Sequence, residues 1–248
     1  MRPAQVRVRR RGEYGVDGLP VLRVQSVLLA ALVVAAVVAA VLGHEVVAVL
    51  LGVGAIGGLV CLASYVYTTR RGKFEVWAEV LSDLGLRGDE EVLDAGCGRG
   101  AVLLMAAERL TGGRAVGFDL WRSLDQSGDE VDPALRNAHA EGVADRVEVH
   151  TGEIAQMPFP DGSFDVVLSS LALHHMHDPR ERAAALAEMV RVVRPGGRVV
   201  IADISRAHEY AEQLPGLGVR SVGLRDLGWR FWYGGPFLPT RLVTGTRA

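Results

Sequence analysis

The sequence EVLDAGCGRG, residues Glu91 to Gly100, decides the fold of this chain. An apolar strand ends at an acidic residue and continues into glycines at alternate positions, Gly96, Gly98 and Gly100. In a parallel α/β sheet, the turn after the first strand bends tightly and lets a ligand approach bare backbone, which residues without a Cβ atom allow. The next segment, 101–110, predicts a helix whose first N–H groups point at that ligand. The pattern therefore predicts a loop that binds a carboxylate or a phosphate.

The glycine spacing by itself leaves the ligand open, because Gly96, Gly98 and Ala101 also fit the dinucleotide fingerprint G-x-G-x-x-G/A. Two carboxylates separate the alternatives. Asp119 ends the second predicted strand, where a carboxylate accepts hydrogen bonds from both ribose hydroxyls. Asp94 would face the pyrophosphate of a dinucleotide at an electrostatic cost, but it suits a ligand with an amino group and a sulfonium. S-adenosylmethionine carries both groups.

Further segments follow the glycine loop in a recognisable order. They are AVGFDL at 115–120, HTGEIAQMPFP at 150–160, SFDVVLSSLALHHM at 163–176 and RVVRPGGRVVIAD at 191–203. With the glycine loop, they resemble the ordered motifs of class I S-adenosylmethionine-dependent methyltransferases, in the broad group of the quinone-biosynthesis C-methyltransferases. The resemblance covers about Val76 to Arg247. It implies an enzyme of this class with S-adenosyl-L-methionine as its cofactor.

The resemblance and the loop pattern together predict the cofactor contacts. Glu153 stands where the family usually has Asp, which keeps an acceptor for the adenine amino group on a longer stem. Trp121 is predicted to cover the adenine, and an ordinary packing role is the alternative. The predicted contacts are Asp94, Gly96, Cys97, Gly98, Gly100, Asp119, Leu120, Trp121, Gly152, Glu153, Ile154 and Ser169.

Two adjacent histidines are the candidate catalytic residues. His174 and His175 follow the predicted fourth strand, where the resemblance places residues that face the transferable methyl group. Methyl transfer depends mainly on alignment, and a base is needed only when the acceptor starts out protonated. An imidazole titrates in the useful range, so one histidine is predicted to take that proton, with simple loop packing as the alternative. The two cysteines, Cys61 and Cys97, indicate neither a metal cluster nor a thiol relay.

The strand pattern predicts a Rossmann-like, doubly wound, mainly parallel sheet, because largely apolar strands alternate with helices. The predicted strands are Glu91–Asp94, Ala115–Asp119, Val147–Thr151, Phe164–Ser169 and Arg198–Asp203. A C-terminal antiparallel hairpin is predicted around Gly234-Gly235-Pro236, with residues 227, 229, 231 and 233 alternating onto one face. The alternative is that Trp232, Tyr233 and Phe237 rest at a membrane interface.

Two uncharged segments, Ser26–Leu42 and Val46–Tyr67, precede this domain, and each is near the roughly 20 residues that span a bilayer. A pair of soluble core helices and a cleaved signal peptide are the alternatives. We predict a basic N-terminus at 1–23, a transmembrane hairpin at 24–69 and the methyltransferase domain at 70–248. The flanking basic residues predict a cell-membrane protein with both termini and the domain in the cytoplasm. Those residues are Arg7, Arg9, Arg10, Arg11, Arg23, Arg70, Arg71 and Lys73.

The net charge and the two predicted transmembrane spans indicate which kinds of partner the protein binds. A net charge of −2 gives no support for nucleic-acid binding, and the basic clusters suit anionic membrane lipid. Small residues in both spans, including Gly54 and Gly58, predict a tight hairpin or a homo-oligomer. The anchor favours a lipophilic small-molecule acceptor, such as a quinone, isoprenoid or lipid. A non-catalytic regulatory protein that binds S-adenosylmethionine remains an alternative, and an NAD-type oxidoreductase is disfavoured by Asp94 and the terminal hairpin.

Overall fold

The computed structural model describes residues 10–120 and 133–248. The chain forms two compact units that are interleaved in sequence. The sheet unit contains Met1–Tyr14, Phe74–Leu227 and Thr240–Ala248, and the hairpin unit contains Gly15–Lys73 and Gly228–Pro239. These units differ from the sequential division at residues 23 and 69, because an N-terminal arm belongs to the sheet unit and a C-terminal segment belongs to the hairpin unit.

A seven-stranded sheet forms the centre of the sheet unit, in the order β3-β2-β1-β4-β5-β7-β6. Within this sheet, β7 runs opposite to the other six strands, so its pairings with β5 and β6 are antiparallel. The strands are β1 Glu91–Ala95, β2 Arg114–Asp119, β3 Val147–Thr151, β4 Phe164–Ser170, β5 Val193–Asp203, β6 Val219–Asp226 and β7 Arg241–Arg247. The order changes direction between β1 and β4, and ligands bind at such a switch point beyond the carboxyl ends of the strands.

Helices pack on the sheet, and residues that favour helix ends mark where they begin. Helix α6 is the clearest case, because the Asp178 carboxylate accepts a hydrogen bond from the Arg180 N–H at 2.8 Å and Pro179 occupies the first turn. Buried apolar residues of β4, β5, α6 and α7 form the main core. The helices of the chain are α1 Leu19–Val41, α2 Glu45–Tyr67, α3 Lys73–Leu84, α4 Ala101–Ala107, α5 Pro133–Glu141, α6 Pro179–Val192 and α7 Ala207–Gln213.

The C-terminal hairpin exists, but its first strand, β6, precedes residues 227–233, whose alternation predicted a strand. Strand β7 pairs with β5, and β6 lies at the edge of the sheet. Residues 229–231, read from their alternation as part of a strand, form a short 3₁₀ turn, and Gly234-Gly235-Pro236 lies in the segment between the strands. Phe231 and Tyr233 are buried as the alternation suggested, whereas Trp229 is exposed. The alternating positions 227, 231 and 233 are therefore buried, but they lie outside β6 and β7.

In the hairpin unit, α1 and α2 form an antiparallel pair joined by a short turn at residues 42–44. A Cβ atom on Gly58 would lie 3.3 Å from the Leu29 side chain, so this glycine permits the close approach within the pair. Both helices are long and apolar enough to cross a membrane by length and composition. Their exposed apolar side chains include Val27, Leu28, Val34, Val37, Leu50, Val53, Ile56 and Val60. Helix α2 continues through a π-helical turn, Thr68–Gly72, into α3.

A cluster of polar side chains around Asp17 connects separate segments of the hairpin unit. The Asp17 carboxylate accepts hydrogen bonds from Lys73 Nζ at 2.8 Å, Thr69 Oγ1 at 3.0 Å and the Tyr233 hydroxyl at 2.9 Å. The Tyr65 hydroxyl donates to the Asp17 carbonyl at 2.7 Å. Residues far apart in sequence therefore meet at one carboxylate.

Candidate functional site

The glycine loop between β1 and α4 has the backbone geometry that a bound ligand requires. Gly96, Gly98 and Gly100 all have positive φ angles, of 81°, 50° and 81°. A Cβ atom on Gly96 would lie 2.2 Å from the Cβ of Ala172, so the loop after β4 packs directly on this glycine. The Cys97 side chain is buried beneath the loop and forms no disulfide. Close packing of the two loops brings the predicted cofactor segment against the segment that carries the histidines.

Asp94 is the most unusual group of this loop. Its side chain is buried, and Oδ2 accepts a hydrogen bond from the Leu103 N–H at 2.8 Å. Oδ1 is buried without a hydrogen-bond partner in the part of the chain that the structure describes. The pKa of this carboxyl is raised to about 7, mainly by burial; the Leu103 hydrogen bond opposes the rise, and the nearby Asp119 charge adds to it.

An orphaned buried carboxylate oxygen calls for a cationic donor, because an unpaired polar atom away from water costs about 1–3 kcal/mol. The amino group of S-adenosylmethionine is such a donor. A diphosphate is not, since its charge would repel the carboxylate. The residues present therefore fit S-adenosylmethionine, with Asp94 as the group that would hold its ammonium.

Asp119 lies at the end of β2, as the sequence pattern predicts. Its Oδ2 atom accepts a hydrogen bond from the Gly98 N–H at 2.7 Å, which ties the strand end to the glycine loop. Leu120 follows directly and is half-buried. Trp121 lies outside the described residues, so its predicted contact with adenine stays a prediction.

The segment after β3 is placed beside β2. The Gly152 N–H donates to the Asp119 carbonyl at 2.9 Å, and a Cβ atom on Gly152 would lie 2.5 Å from the Phe118 ring. Ile154 is buried and Glu153 is exposed. These positions suit an apolar contact and a polar contact to an adenine, and both remain predictions. Ser169, in β4, is fully buried, and its hydroxyl has no partner among residues 10–120 and 133–248.

The carboxyl ends of β4 and β5 form a second polar group around Asp203. This buried carboxylate lies 2.7 Å from His174 Nδ1 and accepts hydrogen bonds from the His174 and Ile204 N–H groups at 3.1 and 2.7 Å. The Tyr210 hydroxyl donates to it at 3.2 Å. Because an ionised carboxylate only accepts, Nδ1 of a neutral His174 carries the proton, and Nε2 is the basic nitrogen of the ring.

His175 has a different environment. Its ring lies 4.0 Å from the ring of His174, and its side chain is more exposed. Partial loss of solvent lowers the pKa of His175, and repulsion from a protonated His174 lowers it further, whereas the Asp203 charge opposes both. The His175 ring has no carboxylate orienting it in the described structure. Of the two predicted histidines, His174 is therefore the better oriented base.

Two further side chains position these loops. Arg182 is buried, and its guanidinium donates to the Met176 and His177 carbonyls at 2.7 and 3.0 Å while pairing with Glu209 at 3.1 Å. Asn137, also buried, donates to the Arg99 carbonyl in the glycine loop at 2.8 Å. Arg182 thus fixes the loop after the histidines, and Asn137 fixes the glycine loop.

Sequence reasoning missed Asp203, Arg182 and Asn137 as functional candidates. Asp203 carried a readable signal, because an acidic residue at the end of an apolar strand lies at the ligand edge of the sheet. Arg182 and Asn137 lie on helices among ordinary polar residues, and nothing in the local pattern distinguishes them.

Comparisons with known proteins indicate the same class of protein as the sequence motifs. Residues 93–201 match the family model of a methyltransferase domain. The ubiquinone/menaquinone biosynthesis C-methyltransferase of Roseobacter denitrificans is 30% identical over 166 residues, which are 62% of this chain and 63% of that protein. The 27-O-demethylrifamycin SV methyltransferase of Amycolatopsis mediterranei is 35% identical over 122 residues, 48% of this chain and 40% of its own.

A solved structure gives the same fold. Geranyl diphosphate C-methyltransferase from Streptomyces coelicolor, in complex with Mg²⁺, geranyl diphosphate and S-adenosyl-L-homocysteine, has a TM-score of 0.53 at 22% identity. The match covers 69% of this chain and 76% of that one. The chain spans less than two thirds of the length of either curated relative described above. The match of residues 93–201 supports a methyltransferase domain that uses S-adenosylmethionine as its cofactor.

Proposed function

We propose that this protein is a membrane-anchored enzyme that transfers the methyl group of S-adenosylmethionine to a lipophilic small molecule. The methyltransferase part of the proposal rests on Asp94, at the start of the glycine loop. Its Oδ1 atom is buried without a hydrogen-bond partner in the described structure. It supports an ammonium-bearing ligand over a dinucleotide. The quinone-type and terpenoid acceptors in the names of two similar proteins support a lipophilic acceptor.

The side chains of this site have distinct tasks in methyl transfer. S-adenosylmethionine, when bound, supplies a methyl group on a positively charged sulfur. Asp94 would hold the ammonium and Asp119 the ribose hydroxyls, which would fix the direction from which the acceptor approaches the methyl group. Asp203 keeps the proton of His174 on Nδ1, so Nε2 can take a proton from an acceptor hydroxyl or acidic carbon. The histidine would then return that proton to solvent.

The membrane anchor is proposed from the hairpin unit. Helices α1 and α2 expose large apolar side chains along most of their lengths, an arrangement that suits lipid and is unfavourable in water. Arginines precede α1 and follow α2, which supports a cytoplasmic location for both ends. A lipophilic acceptor dissolved in the bilayer would be available to such an enzyme at high local concentration.

Calorimetric titration of the detergent-solubilised chain tests the cofactor site. We expect saturable binding of S-adenosylhomocysteine, no binding of NADH, and loss of binding in Asp119→Asn. Asp89→Asn, which changes an exposed carboxylate, is the matched control. Binding of NADH alone would contradict the proposal.

A second experiment tests catalysis and the acceptor class. The protein is reconstituted into lipid vesicles with radiolabelled S-adenosylmethionine and a quinone lacking one ring methyl group. Transfer of label into the lipid extract, lost in His174→Gln, supports the proposal. Cofactor binding without transfer to this quinone or to any other extractable lipid would favour the non-catalytic regulatory protein.

A further inference from the structure

We infer that the segment between β6 and β7 carries a third membrane-contacting element, a loop formed by residues 234–238, whose partner is the lipid bilayer. The inference rests on the membrane anchoring proposed above. It concerns an additional surface, because the loop belongs to neither helix of the hairpin. The contacts that support it lie within the hairpin unit.

The loop follows α2 along the apolar part of that helix. The Trp232 carbonyl accepts hydrogen bonds from Ser64 Oγ at 3.4 Å and Thr68 Oγ1 at 2.8 Å. A Cβ atom on Gly235 would lie 3.5 Å from Cys61 Sγ. The segment therefore runs from the basic end of α2 toward the middle of the helix.

The level of Cys61 can be estimated from helix geometry. Cys61 precedes Arg70 by nine residues, which is about 13 Å along the axis at about 1.5 Å per residue. The head-group layer on each side of a bilayer is only about 5–8 Å thick. With Arg70 at the outer surface of that layer, the loop reaches the edge of the hydrocarbon region.

The composition and exposure of the loop suit that depth. Residues 231–240, FWYGGPFLPT, contain no charged side chain, and Arg230 and Arg241 flank them. Phe237 is 89% exposed and Leu238 is 45% exposed, so the described protein leaves Phe237 almost uncovered and Leu238 partly uncovered. Nearer the basic end, Trp229 stacks on Tyr67 with ring centroids 5.3 Å apart, and it is 60% exposed. The loop thus has an apolar tip, with the aromatic pair nearer the basic end of α2. This order suits a membrane interface, where apolar side chains enter the hydrocarbon region and aromatic side chains lie at the level of the head groups.

The backbone of the loop is also compatible with a low-water environment. The Tyr233 N–H donates to the Leu238 carbonyl at 3.3 Å, and the Leu238 N–H donates to the Gly235 carbonyl at 3.3 Å. Gly234 and Gly235 have φ angles of 93° and 120°, which make the tight turn possible. Non-helical backbone is tolerated at membrane depth where it packs on protein and its polar groups are bonded.

Cysteine accessibility in lipid nanodiscs tests the inference with the full chain. The discs contain equal parts of phosphatidylcholine and phosphatidylglycerol, and the probe is a charged, membrane-impermeant maleimide. Three variants are compared: Phe237→Cys at the loop, Val33→Cys in the middle of α1, and Glu212→Cys on the exposed surface of α7. The unchanged chain measures the background from Cys61 and Cys97, and the denatured variants give the full labelling rate.

We expect rapid labelling of Glu212→Cys, and labelling of Phe237→Cys and Val33→Cys that is about tenfold slower or less, because lipid excludes the charged probe. Rapid labelling of Phe237→Cys with a protected Val33→Cys would overturn the loop inference and leave the anchored hairpin intact. Rapid labelling of all three would overturn the membrane anchoring and the loop together. Because Phe237 is exposed on the protein, its substitution does not disturb the packing.

Discussion

Asp94 makes the affinity for the cofactor depend on pH. Its raised pKa, about 7, means that the carboxyl is largely neutral below that pH and cannot hold an ammonium group. We therefore expect the Kd of S-adenosylhomocysteine to rise by up to about tenfold per pH unit as the pH falls below about 7. Calorimetry at several pH values measures this slope.

The raised pKa of Asp94 also makes the free energy of unfolding depend on pH, in a direction that can be predicted. The folded state holds the Asp94 proton more tightly than the unfolded state, so the favourable contribution is complete at low pH and is lost as pH rises through about 7. Ligand binding should reverse the loss, giving a larger rise in Tm on addition of S-adenosylhomocysteine above pH about 7 than below it. Asp94→Asn should bind weakly with a flat pH profile, and a retained slope would assign the titration to another group.

Asp203 is a positioning residue for His174, and the ring tautomer reports this role. With the carboxylate 2.7 Å from Nδ1, ¹⁵N spectra of the histidine-labelled protein should show a neutral ring protonated at Nδ1. In Asp203→Asn, whose side chain can also donate, the two tautomers should mix. Tyr210→Phe is the control, since it removes one hydrogen bond to Asp203 and leaves the carboxylate in place. An unchanged tautomer in Asp203→Asn would contradict the assignment.

At the level of elements, α5 links the N-terminal arm to the glycine loop. Asn137 Nδ2 donates to the Arg99 and Glu13 carbonyls at 2.8 and 3.2 Å, and the Glu13 N–H donates to Asn137 Oδ1 at 2.8 Å. The Tyr14 hydroxyl donates to Glu141 on the same helix at 3.0 Å. The arm therefore reaches the glycine loop through the buried Asn137 amide, and the Arg99 guanidinium also donates to the Glu13 carbonyl at 3.5 Å.

Removing that amide should weaken cofactor binding. In Asn137→Ala, the backbone carbonyls of Arg99 and Glu13 lose the amide donor, at a cost of about 1–3 kcal/mol. Part of this cost lowers the free energy of unfolding, and part reduces the order of the glycine loop. We expect the Kd of S-adenosylhomocysteine to increase by about fivefold or more, equivalent to about 1 kcal/mol. His139→Ala, at an exposed position on the same helix, is the matched control. Equal affinity in both variants would show that the glycine loop is ordered without the arm.

The sequence predicts the elements near the cofactor well, because apolar strands and glycine turns are local signals. Strand β3 has the predicted bounds, and β1, β2 and β4 differ by one residue at an end. The terminal hairpin was misplaced for a physical reason. Strand β6, VRSVGLRD, lies at the edge of the sheet with a polar and partly exposed sequence, so it is less apolar than the buried segment after it.

The site was predictable only in part. Asp94 and the loop glycines sit within one motif, Asp119 ends the next strand, and the structure places them at one edge of the sheet. Asp203 meets His174 across 29 residues. Such a contact depends on strand order, which local periodicity does not encode.

At the scale of the whole molecule, the two units are interleaved, whereas the sequence pattern suggested consecutive domains. The Tyr233 hydroxyl reaches Asp17 across 216 residues. Hydropathy identifies α1 and α2 because their apolar character is continuous, but it gives no sign that residues 228–239 pack with them.

Asp17 should contribute strongly to the stability of the hairpin unit. The Lys73 side chain is only 8% exposed beside it, and loss of one partner of a buried ion pair costs about 3–5 kcal/mol. The Asp17 side chain is 30% exposed, so solvent screening reduces this figure for Asp17→Ala. We expect a clear decrease in Tm in detergent, with Glu45→Gln, which changes an exposed residue at the opposite end of α2, as the control. Equal melting of the two variants would mean that the cluster adds little.

The places where the chain leaves the sheet unit and returns to it have a practical consequence. The Leu227 N–H donates to the Thr240 carbonyl at 3.0 Å, and the rings of Tyr14 and Phe74 meet with centroids 5.2 Å apart. Residues 14 and 74 are therefore close together, and so are residues 227 and 240. Each segment of the hairpin unit thus leaves the sheet unit and rejoins it at neighbouring positions. Splicing residue 14 to 74 and residue 227 to 240 through short glycine-serine turns should give a water-soluble catalytic core suited to crystallisation. Simple truncation at residue 73 would instead discard the N-terminal arm and leave residues 228–239 without their packing partners.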